Sequence, residues 1–157
     1  MVVVLNNIRS LYNVGSIFRT ADAAGAEKIY LCGFTPEPVD RFGKLRPQLA
    51  KVSLGAEHSV KWEKIKSAIR LIDKLKKDGY KILAIEQNQK SMPYFKFKIQ
   101  SKEQKSALVL GNEVNGLPQS ILKKADKILE IPMKGKKESL NVSVAFGIVV
   151  FNLIYNK

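Results

Sequence analysis

A chain of 157 residues is long enough for one domain with a sizeable core and too short for two ordinary ones, so a single domain spanning 1–157 is expected. Hydrophobic residues at 45% and charged residues at 26% sit near the globular average, which excludes disordered and fibrous chains. The charge balance is unusual: 27 Lys and Arg against 14 Asp and Glu leave a formal net of +13, an excess that attracts RNA, DNA or acidic lipid, unless it is only a solvated lysine surface.

In chain order, Val2-Val3-Val4-Leu5 is a β-branched apolar run without polar alternation and predicts a buried strand. Asn13 then suits the cap of a helix in which Val14, Ile17, Phe18, Ala21 and Ala24 recur at helical spacing, with Gly25 as its stop. KIYLCGF (28–34) reads as a second strand, and TPEPVDRFGKLRP (35–47) as a loop interrupted by Pro and Gly. Residues 63–78 carry Ile65, Ala68, Ile69, Ile72 and Leu75 on one face and lysines off it, predicting an amphipathic helix that ends before Gly79. Three further strands are expected at YKILAIE (80–86), SALVLG (106–111) and KILEIP (127–132). FKFKI (95–99) alternates strictly and fits either an edge strand or an exposed aromatic and basic patch. Short apolar runs alternating with helices predict an α/β fold, a mostly parallel sheet with helices on both faces.

Several chemistries are disfavoured. Cys32 is the only cysteine and His58 the only histidine, so an intramolecular disulfide is impossible and Cys/His zinc sites lack ligands; no metal is expected. A lone thiol suits a reducing cytoplasm. The apolar start, residues 1–5, is too short for a signal segment, and the C-terminal run is cut by Gly147 and Asn152, so no membrane span is predicted.

Three segments have the composition of a site. In LVLGNEVNGLP (108–118) a strand runs into a glycine-rich turn, where backbone N–H groups become free to hold a ligand. Gly111 and Gly116 have Walker A spacing, but Leu117-Pro118 replace the Lys and Ser or Thr that phosphate and magnesium need, and there is no G-x-G-x-x-G. In NNIRSLYNVGSIFRTADAAG (6–25), Asn13 and Gly15 mark a helix start, and Arg19 on the next turn suits a phosphate clamp or a simple pair with Asp22. In the third, Ser139 and Asn141 are good caps for a helix that is apolar nearly all round: Val142, Val144, Ala145, Phe146, Ile148, Val149, Phe151, Leu153 and Ile154. Such a helix needs cover on every side, so part of it is expected to pack against a second copy.

On these residues the sequence resembles the SpoU/TrmH-type RNA ribose 2′-O-methyltransferases of the SPOUT superfamily. The matching motifs are N-x-G-x-x-x-R-T-A-x-A-x-G from Asn13 to Gly25, L-V-L-G-N-E-x-x-G-L from Leu108 to Leu117, and I-P-M-x-G-x-x-x-S-L-N-V-S-V-A from Ile131 to Ala145. Each is weak alone; their order and spacing together are specific. The resemblance covers essentially the whole chain, which looks like the catalytic domain without the N-terminal RNA-binding domain of some relatives. It implies an α/β fold with a C-terminal trefoil knot, S-adenosylmethionine as cofactor, tRNA or rRNA as substrate, and a homodimer. Carried over by position, Asn13, Arg19, Glu113, Ser139 and Asn141 are the catalytic candidates. The cofactor candidates are Leu83, Ala84, Ile85, Glu86, Leu110, Gly111, Asn112, Gly116, Ile131, Met133, Ser139 and Leu140. RNA is expected on Arg19, on Arg41, Lys44 and Arg46, and on Lys134, Lys136 and Lys137, with Lys96 and Lys98 as further candidates. The rival expectation is a non-catalytic RNA-binding protein that retains the fold; it predicts loss of Arg19, Asn141 or the Gly111 turn, and all are present.

Overall fold

The computed structural model describes residues 1–101 and 103–156. Strand β1 (Val2–Asn6) leads into helix α1 (Leu11–Ala23), β2 (Lys28–Cys32), α2 (Pro47–Ser53), α3 (Ala56–Ser59), β3 (Trp62–Ile65), α4 (Ala68–Lys77) and β4 (Lys81–Ile85). The second half adds β5 (Met92–Pro93), a 3-10 turn at Tyr94–Lys96, β6 (Ser106–Leu110), α5 (Gln119–Leu122), β7 (Lys127–Glu130) and α6 (Val142–Tyr155). The strands form one seven-stranded sheet in the order β3-β2-β1-β6-β4-β7-β5, and every pairing is parallel.

The apolar runs are continuous because both faces of the sheet are covered. Val3 and Leu5 of β1, Leu83 of β4, and Leu108 and Leu110 of β6 pack with Val14, Ile17 and Phe18 of α1 and with Phe146, Val149 and Leu153 of α6. Their alternates, Val2, Val4, Ile82, Ala84, Ala107 and Val109, pack with Leu71, Ile72 and Leu75 of α4 and with Ile121 and Leu122 of α5. Leu83 and Ala84, two of the expected cofactor positions, are therefore both fully buried on opposite faces, with their side chains in the sheet core.

Chain order and spatial order diverge in the second half. Strand β6 inserts between β1 and β4, and β7 between β4 and β5. These insertions put the carboxyl ends of β6, β4 and β7 side by side, so the loops after them open around one space. The β1/β6 boundary is where the direction of strand addition reverses, the place where open α/β sheets form their crevice.

Several elements differ from the sequence expectation. Helix α1 is capped by Ser10, whose side chain accepts from the Asn13 amide at 3.3 Å; both residue types cap well, and Ser10 starts the helix one turn earlier. The helix expected at 63–78 begins as edge strand β3, paired with β2, before Ser67 caps α4; Ile65 and Ala68 are spaced like a helix face although they belong to different elements. The loop expected at 35–47 ends at Pro47, the first residue of α2, and neither α2 nor α3 was visible in the apolar pattern. FKFKI is not a strand: Phe97 turns into the core while Phe95 stays exposed, after a two-residue edge strand.

Candidate active site

A cavity of about 320 Å³ lies at the ends of β4, β6 and β7. Its walls come from Ile85, Glu86 and Gln87 after β4, from 110–114 and Gly116 after β6, and from Leu129, Glu130, Ile131, Met133 and 139–141 after β7. Val142 and Ala145 of α6 and Asn13 of α1 complete it.

The loop after β6 is folded tightly on itself. Asn112 Oδ1 accepts from the Val114 and Asn115 amides at 2.9 and 3.0 Å, and the Gly116 amide donates to the Asn112 carbonyl at 2.9 Å. A Cβ on Gly111 would stand 2.4 Å from the Gly116 carbonyl carbon, so only glycine permits this closure. Gly116 has φ +63°, and a Cβ there would meet the Glu86 carboxylate at 2.2 Å. That carboxylate accepts from the Leu117 amide at 2.8 Å and the Gln87 amide at 2.9 Å, tying the β4 loop to the β6 loop. Gln87 in turn donates through its side chain to the Glu138 carbonyl, tying in the β7 loop.

One continuous chain of side-chain hydrogen bonds joins the three sequence motifs. The Glu113 carboxylate accepts from the Arg9 amide at 2.9 and 3.1 Å, from the Ser10 amide at 3.0 Å and from Asn13 Nδ2 at 3.0 Å. Asn141 Nδ2 donates to Asn13 Oδ1 at 3.0 Å, and Asn141 Oδ1 accepts from the Ser143 amide at 2.9 Å as the cap of α6. Partial burial alone would raise the Glu113 pKa, but the donors from Arg9, Ser10 and Asn13 outweigh it and hold the carboxyl below its ordinary value.

Other candidates stand apart. Ser139 lines the cavity but does not cap α6. Arg19 is exposed, outside the cavity lining and without an ion pair among the described residues; Asp22 accepts instead from Ser59 Oγ at 2.7 Å. Six residues of helix put Arg19 about 9 Å along the axis from Asn13 and about 120° around it. Arg41 stacks over the Phe42 ring at 4.7 Å, Lys44 donates its amide to Asp40 at 2.9 Å, and Arg46 Nε donates to the Val39 carbonyl at 3.3 Å. Lys134, Lys136 and Lys137 are exposed on the same loop as Met133 and Ser139. Lys96 and Lys98 are exposed beside the edge strand. Burial pushes the Cys32 thiol up to about 12, which removes it as a nucleophile.

The model of the SpoU rRNA Methylase family matches residues 1–151. The chain belongs to the SpoU family. A SpoU relative, a putative TrmH family tRNA/rRNA methyltransferase of Staphylococcus haemolyticus, is 31% identical over 156 residues, which is 99% of this chain and 58% of the relative. The chain thus spans little more than half the length of that protein. Among solved structures, an AdoMet-bound rRNA methyltransferase from Sinorhizobium meliloti is 30% identical with a TM-score of 0.84, over 96% of this chain and 54% of that one. The A. aeolicus TrmH/SpoU tRNA modifying enzyme is 29% identical with a TM-score of 0.80, over 96% and 72%.

Gln87, Leu129, Glu130, Val142 and Ala145 also line the cavity and were not anticipated. Gln87 had a signal, because it directly follows the predicted strand 80–86, and Glu130 had a weaker one, as a charged residue near the end of the predicted strand 127–132. Val142 and Ala145 had none, since one apolar helix residue looks like another. Among the described residues no group of three or more His, Cys, Asp or Glu is placed to hold a metal, and no helix is long and apolar enough to cross a membrane.

Proposed function

We propose that this chain transfers a methyl group from S-adenosylmethionine to a ribose 2′-hydroxyl of tRNA or rRNA, as a cytoplasmic homodimer whose C-terminal segment is threaded as a trefoil knot. The observation that carries the reading is the hydrogen-bonded run Asn141, Asn13, Glu113 along one wall of a cavity built from three strand-end loops.

The cavity suits that cofactor. Leu110, Ile131, Met133 and Leu140 offer apolar surface for an adenosine, and the Glu86 and Glu130 carboxylates offer negative charge and spare lone pairs to a cation. S-adenosylmethionine, when bound, supplies an electrophilic methyl group on a sulfonium. Asn13 and Asn141 offer the amides that orient the incoming ribose, and alignment of the reacting atoms is the largest contribution such a site makes. Glu113 is an anchor rather than a base, since three residues already donate to it and its proton affinity is lowered. Val142 and Ala145 keep that side of the cavity dry, which favours a step in which opposite charges cancel.

Arg19 grips the phosphate next to the target sugar and stabilises the developing alkoxide; a guanidinium with a pKa above about 12 is poorly suited to remove the proton itself. Because Arg19 is exposed and outside the lining of its own chain's cavity, it serves the cavity of a second copy. The outer face of α6 supports that pairing, with Val144 49% and Tyr155 80% exposed and Ile148 and Phe151 partly so on the same stripe. Exposed Arg41, Lys44, Lys134, Lys136 and Lys137, together with the +13 charge and partly buried Arg46, form the surface for RNA.

Calorimetry with S-adenosylmethionine and nucleoside mapping of total RNA after incubation test the proposal together. The expected result is one cofactor per chain and new 2′-O-methyl marks. Methyl groups found only on bases would overturn the ribose assignment.

A further inference from the structure

A second, more open concavity of about 510 Å³ is lined by Arg9, Phe34, Asn112 and Asn115. Asn112 belongs to both spaces and is their common wall. Phe34 is 59% exposed and lines this concavity, so its ring is open to a ligand there.

Its backbone is fixed from three directions. Asn7, just past β1, sits at φ +58°, and its Oδ1 accepts from the Phe34 amide at 3.1 Å. The Gly33 amide donates to the Ile65 carbonyl at 3.0 Å, and a Cβ on Gly33 would stand 1.9 Å from Asn7 Oδ1. Asn112 Nδ2 donates to the Asn7 carbonyl at 2.8 Å. The loops after β1, β2 and β6 are thus stitched together through Asn7, and the aromatic face is held on a stiff support. Beside it, Arg9 has its amide held by Glu113 but its side chain makes no ion pair among the described residues. Asn115 is exposed and has its amide, not its side chain, committed to the loop.

An exposed ring, a free guanidinium and a free carboxamide around one concavity are the components that read an unstacked nucleobase: a π-face for stacking, and donors and an acceptor for its edge. We propose that this concavity receives a base of the RNA strand whose ribose enters the cofactor cavity, with Phe34 as the stacking platform and Arg9 and Asn115 as the readers of the base edge. The inference rests on the RNA reading above and adds the site that selects the nucleotide. Pre-formed geometry reduces the ordering cost of capturing a single base.

The test uses the full chain and a single-stranded oligouridylate carrying one central 2-aminopurine, whose fluorescence is quenched on stacking. Wild type is expected to quench it, Phe34→Trp to retain quenching, and Phe34→Ala to lose it and bind about ten-fold more weakly, the size of one lost aromatic stack. Cofactor affinity and melting temperature should not change. In total RNA, Phe34→Ala should spread methyl marks over nucleosides that wild type leaves untouched. Equal quenching by wild type and Phe34→Ala, no quenching by wild type, or a change of oligomeric state in Phe34→Ala that marks the ring as a contact between copies, each overturns the proposal. Quenching that depends on Phe34 in a protein that transfers no methyl group would leave the base site standing and remove the activity instead.

Discussion

The two ends of one helix differ in a way that explains the site. In its first turn α1 is locked: Ser10 caps it, Glu113 holds the Arg9 and Ser10 amides, and Asn13 is clasped between Glu113 and Asn141. Two turns later Arg19 extends into solvent, away from everything the first turn serves. A single chain therefore holds the Asn13 end of α1 in a hydrogen-bonded frame and leaves the Arg19 guanidinium exposed, outside the lining of its own cavity. The same contrast separates α4 and α6. The outer face of α4 is lysine-rich, whereas the outer face of α6 presents Val144, Ile148 and Phe151.

The largest effect is expected at the free end. Arg19→Ala should lower methyl transfer at least about a hundred-fold, the loss typical of removing one charge-stabilising group, with cofactor binding and melting temperature intact. Mixing Arg19→Ala with Asn141→Ala chains should restore part of the activity, since one mixed dimer then carries one complete site; no recovery in a transfer assay would mean that Arg19 works within its own chain. Next, Phe151→Glu places a carboxylate on the uncovered stripe of α6. It should yield monomers by light scattering and match the Arg19→Ala activity loss.

At the locked end a smaller effect is expected. Glu113→Gln should cost about 1 kcal/mol in denaturant unfolding, less than is usual for hydrogen bonds to a charged group because water reaches the carboxylate. Its pKa is depressed in the folded state, so its stabilisation is complete above the unfolded-state value and is lost as pH falls through the folded one. Melting temperature followed into acid should thus fall less steeply in Glu113→Gln than in wild type. The smallest effect belongs to the surface: Lys136→Ala should reduce the slope of log affinity for RNA against log salt by about one unit or less, and an unchanged slope removes Lys136 from the interface.

The five inner strands were legible because a strand buried on both faces reads as a nearly continuous apolar run, as in VVVLN of β1 and SALVL of β6, whereas the edge strands β3 and β5 lack that cover and were not. The meeting of Asn13, Glu113 and Asn141 was legible only as three motifs, for nothing local to any one of them specifies contact across a hundred residues. Strand order was not legible, because apolar runs do not encode which neighbour they pair with. For a related reason the expected cofactor segment 83–86 reaches back into buried sheet: the lining of the cavity begins at Ile85, and no residue type marks that boundary. The position of Arg19 relative to the cavity needed the tertiary placement of α1 against the loops after β6 and β7, which no local pattern specifies.

The insertion of β6 and β7 into the middle of the sheet also constrains the order of assembly. During synthesis the ribosome delivers β1, β4 and β5 before the strands that separate them. A nascent chain therefore cannot close its sheet in the order in which it emerges, and such non-local pairing is intrinsically slow. The pocket floor is among the last parts to exist, so a small molecule that fits it recognises only finished protein and shifts the equilibrium toward the native state in proportion to its concentration.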